Sequence, residues 1–255
     1  MRKITDYKEV SPTVLKYFKR GVITNNFLTA EEYKAEIAEG RLYFLEEKDF
    51  LNIYLLRDGF YILYYYILNE MCKFPNVDKK VVCDIAGETP LAIKNGGFLK
   101  NLERVELERE KEDISKETSQ YKAEPKDFEE IYEAMLKSFN KYSGYVPTVS
   151  TIKKECEEGL IYIAKEEGKI AGVLRFGVTG NVSKIQHLCV LEEFRNRGYA
   201  RFLCNEFLKE NRDKKCIVWT GKENEAALSL YKSLGFFKRG TTSSVYIKEE
   251  DKNDR

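Results

Sequence analysis

Arg195, Gly198 and Ala200 stand in an R-x-x-G-x-A spacing directly after the apolar run Leu188-Cys189-Val190. That spacing can hold an anion. A glycine lets the backbone approach a ligand with no Cβ in the way. A helix starting there offers free N–H groups and the positive end of its dipole. Arg195 and Arg197 add charge, and Asn196, Tyr199 and Ala200 complete the turn. The ligand such a turn takes is a phosphate or pyrophosphate. Two further residues can move protons. Tyr231 carries one O–H donor with a pKa near ~10, so it can donate to a developing anion and remain protonated at neutral pH. His187 is the single histidine, and its ordinary pKa of ~6.5 suits proton acceptance. Each also has a plain structural reading: an ordinary strand–turn–helix unit, a tyrosine sharing a helix stripe with Ala227, Leu230 and Leu234, and a satisfied strand histidine.

These residues need elements to position them. The run 185–190 is short enough for a buried strand. Ala200, Leu203, Cys204, Phe207 and Leu208 then recur at helical spacing, which predicts an amphipathic helix after the turn. Tyr231 falls in a second helical stretch, 224–236, reading NEAALSLYKSLGF.

The two stretches together resemble the GNAT superfamily of N-acetyltransferases. R-x-x-G-x-A is similar to the family's acetyl-CoA signature, Q/R-x-x-G-x-G/A, and 224–236 is similar to its last helix, which ends in Tyr-x-x-x-Gly-Phe. The resemblance covers roughly 121–247. It implies acetyl transfer from acetyl-CoA to a primary amine by direct attack, without a covalent enzyme intermediate. Residue by residue, it implies that Leu188, Cys189 and Val190 pair their backbone with the pantetheine arm. It places Arg195, Asn196, Arg197, Gly198, Tyr199 and Ala200 around the pyrophosphate, and Asn224 on the pantetheine. Tyr231 becomes the acid that protonates the departing CoA thiolate, and Trp219-Thr220 can line the acyl pocket. The position where many relatives carry a catalytic glutamate holds Lys184 or Gln186 here. His187 is therefore a candidate base, beside a base acting through water or a structural histidine. His187 and Gln186 alternate along the strand, and a bulge of the kind common in the family re-aims side chains, so parity leaves the choice open. The stretch 142–149, YSGYVPTV, often covers the acceptor in the family. An acyl-CoA-binding sensor or assembly module without transfer activity is the alternative; the presence of Tyr231 favours the enzyme.

The N-terminal half echoes the C-terminal half. Thr29 matches Thr148 and Gly40-Arg-Leu-Tyr43 matches Gly159-Leu-Ile-Tyr162, at a constant offset of 119 residues. Thr29 with Glu32 makes a capping box ahead of a helix that Gly40 ends. Strands are expected at 42–45, 51–56 and 60–68. By Phe98 and Phe236 the offset has grown to 138. Most of the difference lies between Leu68 and Val81, where the first copy has NEMCKFPNVDKK, without a glycine, in place of the phosphate turn and helix. We therefore expect an α/β protein of two tandem GNAT-like domains, each a mixed, mostly antiparallel sheet flanked by helices. Residues 1–112 would be a degenerate copy without the pyrophosphate loop and 113–255 the transferase domain, joined by a charged linker at 108–120, with Tyr121 opening the first strand of the second copy.

Composition fits this reading. The 255 residues suffice for two small domains, and 33% charged with 13% aromatic residues is globular. A formal charge of +1 gives no general pull toward nucleic acid or an anionic membrane. Arg195, Arg197 and Arg201 cluster at one helix start, which suits one pyrophosphate and not a polynucleotide. The six cysteines form no C-x-x-C pair, and with one histidine they predict a reducing cytosol and no zinc site. The N-terminus MRKITDYKEV lacks the apolar core of a signal peptide. The longest apolar run, 60–68, is too short to span a bilayer. The expected partner is a small-molecule or peptide amine.

Overall fold

The computed structural model describes residues 1–26, 28–112 and 119–250. They form two units. Unit 1 holds Met1–Glu103 and the chain's end from Thr242; unit 2 is Arg104–Thr241. The boundary expected at 112/113 borders residues 113–118, which lie outside the described residues.

In unit 1, β1 (Arg2–Lys3) precedes α1 (Ser11–Phe18), with its proline in the first turn, and then β2 (Ile23–Thr24). The capping box forms as the sequence requires: Glu32 N–H reaches Thr29 Oγ1 at 3.3 Å and Thr29 N–H reaches Glu32 Oε2 at 2.8 Å, opening α2 (Ala30–Ala38). The antiparallel strands β3 (Leu42–Glu46), β4 (Phe50–Arg57) and β5 (Phe60–Ile67) follow. The aromatic run of β5 is buried on both faces except at half-buried Tyr64, as expected of a central strand. β6 (Val81–Ala86) pairs parallel to β5 through Tyr61↔Val81 and Ile62↔Val82 alone. The short helix α3 (Leu91–Lys94) leads into β7 (Leu99–Arg109), inside which the unit boundary falls.

Unit 2 begins with the second half of β7. Tyr121 opens no strand, since Lys122 makes only one isolated bridge, to Tyr162. Nor is Glu108-Arg109 linker: both continue β7, with Val105 and Leu107 buried on one face in alternation with glutamates on the other. The helix α4 (Phe128–Ser138) buries Ile131, Ala134 and Met135 and leaves Leu136 exposed. Thr148 caps α5 (Val149–Glu157). Then come β8 (Ile161–Glu166), β9 (Lys169–Thr179) and β10 (Val182–Val190), antiparallel in sequence. After α6 (Tyr199–Glu210), β11 (Lys215–Gly221) returns parallel to β10 and antiparallel to the 104–109 part of β7. The helix α7 (Glu225–Ser233) and the start of β12 (Phe237–Lys248) end unit 2; from Thr242 the strand belongs to unit 1, where Ser243–Lys248 pair with β6.

The unit 2 sheet is covered on both faces. One core joins Leu203, Cys204 and Phe207 of α6 to Tyr231, Val218, Ile185 and Leu107; the other joins Ile131, Met135 and Ile152 of α4 and α5 to Ile163, Val173 and Cys189. This is a mixed α/β architecture. No described helix is long and apolar enough to cross a membrane.

Candidate functional site

The site grows out of β10. Its ladder with β11 ends at Ile185↔Val218, although both strands run on, to Val190 and Gly221. Beyond that rung the two strands carry no pairing to each other, and the edge of 187–190 is bonded only on its β9 side. A bulge marks the parting point: Ile185 opposes Phe176, His187 opposes Arg175, and Gln186 is the extra residue. The bulge reverses the facing of the strand. Ile185 packs on the α6 side, yet Cys189 packs on the α4 side and Leu188 returns to α6. His187 follows Cys189 and meets Phe139, ring centres 4.8 Å apart.

Past Val190 the chain makes a short 3-10 turn, Glu192–Phe194, and reaches the predicted anion loop. Asn196 and Gly198 both sit at positive φ, 62° and 87°. Gly198 is the N-cap of α6 and holds the left-handed conformation that favours glycine. Among the described residues, no acceptor takes the backbone N–H of residues 196–201; the first bond of the helix is Phe202 N–H to Gly198 O at 2.9 Å. The arginines are placed less simply than their spacing suggests. Arg197 donates to Glu166 Oε1 at 2.6 Å and to Glu193 O at 2.9 Å, Arg195 donates to Val190 O at 3.3 Å, and Arg201 donates to Ser233 Oγ at 2.8 Å. Tyr199 O–H also donates to Glu166. The backbone, rather than free arginine charge, is the unsatisfied element here. A cavity of about 310 Å³ touches this loop at Arg197, Gly198 and Tyr199; a larger one of about 700 Å³ runs along the outer side of α6 and includes none of the predicted site residues.

Tyr231 lies in the core beneath the parting strands, 3% exposed, its ring packed on Phe236. Burial pushes its phenol well above the usual value, so it stays protonated. Its hydroxyl makes no hydrogen bond among the described residues, and it is absent from the sealed polar atoms that lack a partner, so it keeps an opening. Asn224 caps α7 by accepting from Ala227 N–H at 3.1 Å.

His187 has both ring nitrogens engaged. Nε2 lies 2.5 Å from Gly144 O and Nδ1 lies 3.3 Å from Arg175 Nη1. A carbonyl only accepts and a guanidinium only donates, so Nε2 carries the proton and Nδ1 accepts. Burial, helped by the Arg175 charge and opposed by the Gly144 carbonyl, lowers its pKa to about 4. Arg175 is held in turn by Glu155 through two bonds of 2.5 Å. Sequence reasoning missed this pair. A strand arginine and a helix glutamate 20 residues apart carry no motif, and only the fold makes them neighbours.

Residues 126–236 match the acetyltransferase (GNAT) family. The chain thus contains a GNAT acetyltransferase domain and is an acyltransferase. A GCN5-related N-acetyltransferase from Sphaerobacter thermophilus is similar at 17% identity and TM-score 0.59, over 79% of this chain and 76% of that one. A GNAT-family acetyltransferase from Colwellia psychrerythraea is similar at 10% identity and TM-score 0.55, over 98% and 99%. A putative GNAT acetyltransferase from Novosphingobium aromaticivorans is similar at 15% identity and TM-score 0.52, over 69% and 77%. At these identities the likeness is one of fold. The described residues hold no group of three His, Cys, Asp or Glu able to bind a metal.

Proposed function

We propose that unit 2 transfers the acetyl group of acetyl-CoA to a primary amine by direct attack, and that unit 1 is a degenerate copy of the same fold. The observation that carries the reading is the parting of β10 and β11 beyond Ile185↔Val218, flanked by the open N–H groups of 196–201. The open edge at Leu188, Cys189 and Val190 suits an amide-bearing arm added as an extra strand. The loop from Arg195 through Ala200 then cradles the pyrophosphate at the start of α6. Asn224 keeps its Oδ1 on the helix cap and offers its side-chain N–H to the arm.

In the chemical step the amine nitrogen bonds to the thioester carbon and the C–S bond breaks. Tyr231 supplies the proton to the departing thiolate; a phenol held protonated by burial is suited to that. His187 acts by position. Its Nε2–H holds the Gly144 carbonyl, and with it the stretch 142–149 over the acceptor side. Of the roles the sequence leaves open for this residue, the geometry favours the structural one.

Calorimetric titration tests the reading. Acetyl-CoA is expected to bind at one site per chain with micromolar affinity, and two sites would sink the degenerate-copy assignment. Tyr231→Phe is expected to lower turnover about 100-fold while leaving the acetyl-CoA Kd within about twofold. Equal losses in both would mark Tyr231 as a packing residue.

A further inference from the structure

Glu106 is a carboxylate that the reading above leaves unused. It is 9% exposed, and no hydrogen bond or ion pair reaches it among the described residues. Its oxygens are nevertheless absent from the sealed polar atoms without a partner, so the buried stem ends in an open tip. A buried carboxylate calls for a cation beside it, and two residues on Glu108 has two. At Glu108 burial opposes ionisation, but Lys215 at 3.1 Å and Arg239 at 3.2 Å outweigh it and hold the carboxylate below its usual range. Glu106 has no such cation of its own.

Its place on the sheet says what cation fits. Val105 and Leu107 face α6, so Glu106 faces the other way. On β11 its direct partner is Trp219, the residue after the last β10–β11 rung at Val218. Adjacent strands lie about 5 Å apart, which puts Glu106 one strand from the edge where β10 and β11 part. The loop that follows α4 lies over this same face. Arg104, on the same side of β7 as Glu106, donates to Ser143 O at 3.3 Å, and His187 on β10 holds the adjacent Gly144 O. Glu106 is two residues from Arg104 on β7, and its partner Trp219 lies on β11, the strand between β7 and β10.

We propose that Glu106 binds the acceptor as an ammonium ion and accepts its proton. This rests on the acetyl-transfer reading and deepens it: the acceptor is an aliphatic primary amine, cationic in solution. The ammonium gives one proton to Glu106. The freed nitrogen forms the C–N bond, the C–S bond breaks, and Tyr231 protonates the thiolate. The second nitrogen proton, shed as the adduct collapses, restores Tyr231 through solvent, and Glu106 releases its proton to water. The sum is ammonium plus acetyl-CoA giving amide, CoA and one proton.

The test uses the full chain with propylamine, 1,4-diaminobutane, glycinamide and a lysine-terminated peptide as probes, followed by thiol release, with acetyl-CoA affinity measured separately by calorimetry. Glu106→Gln is expected to lower turnover of the accepted amine about 100-fold with acetyl-CoA affinity within about twofold, and Glu106→Asp to fall between. Turnover of Glu106→Gln within about threefold of the native protein overturns the proposal. Loss of acetyl-CoA binding in Glu106→Gln overturns it as well, by making the carboxylate structural. Native protein that binds acetyl-CoA yet acetylates none of the probes overturns it while leaving the cofactor reading intact. Native protein that does not bind acetyl-CoA removes the reading beneath it, and calorimetry tells the two failures apart.

Discussion

Among the described residues each unit has one parallel strand pair, and the two pairs treat the gap beyond their last rung differently. In unit 2, β10 and β11 part after Ile185↔Val218 and nothing described bridges them. In unit 1, β5 and β6 part after Ile62↔Val82, and the chain's own segment 23–26 fills the space. Ile23 and Thr24 pair with Ile67 and Tyr66, so β2 takes the edge of β5 that a ligand strand would need. Asn25 completes the seal. Its amide donates to Leu63 O and Asp84 O, both at 3.0 Å, and accepts Tyr65 N–H at 2.8 Å. The second difference lies on the next element. Unit 2 follows its central strand with a glycine loop and the helix α6; unit 1 follows it with 69–80, which forms no helix. A parted strand pair has unsatisfied backbone groups that must be met. One unit meets them with its own backbone and an amide, and in the other they stay open among the described residues.

The largest effect should come from closing the unit 2 gap at its anion end. Gly198→Glu places a carboxylate at the start of α6, against the N–H groups and the dipole that favour an anionic ligand. A Cβ at this position meets nothing within 4 Å, so the substitution has room, although φ of +87° adds local strain. Acetyl-CoA affinity is expected to fall about a thousandfold, ~4 kcal/mol, with folding retained. Calorimetry beside circular dichroism checks both, and unchanged affinity would mean that the loop at Gly198 does not hold the anion.

Breaking the unit 1 seal should cost stability rather than function. Asn25→Ala leaves Leu63 O, Asp84 O and Tyr65 N–H without their partner in a buried setting. The expected loss is about 3 kcal/mol in urea unfolding. The acetyl-CoA stoichiometry should remain one per chain, since β2 still occupies the edge and unit 1 has no glycine loop. A second acetyl-CoA site in this variant would mean that Asn25 alone had kept unit 1 from binding.

What the sequence makes legible is local. The turn at Gly198, the stripe of α6, the capping box at Thr29 and the aromatic strand at 60–67 each follow from a few neighbouring residues, and the structure has them all. The sequence hides what depends on distant pairing. Asn25 reads as a loop polar residue because its partners lie at 63, 65 and 84. The Glu108-Arg109 pair reads as linker because charge hides a strand whose partner, β11, lies about a hundred residues on. Glu106 is visible only as an acid alternating with Val105 and Leu107; its lack of a cation is a property of the fold. The bulge at Gln186 is the sharpest case. It decides which face His187 takes, and nothing in the residue types of 185–188 places it.

The smallest effect separates the units by pH. His187 is the single histidine and lies in unit 2, so unit 1 has none to titrate. In the fold its pKa is lowered to about 4, first by burial; unfolded, it returns to ~6.5. Below ~6.5 the unfolded chain therefore binds a proton that the folded chain refuses. The contribution of neutral His187 is full above that value and drains as pH falls toward 4. Between pH 7 and pH 5 the loss amounts to roughly 2 kcal/mol. Trp219 is the single tryptophan and also lies in unit 2, so its fluorescence follows that unit. Urea midpoints read from it should drop between pH 7 and pH 5 in the native protein and drop less in His187→Gln, whose amide can still donate to Gly144 O. Equal slopes in the two proteins would mean that His187 is charged in the fold, and the Nδ1 bond accepted from Arg175 could not then exist, because an imidazolium has no lone pair to offer a guanidinium.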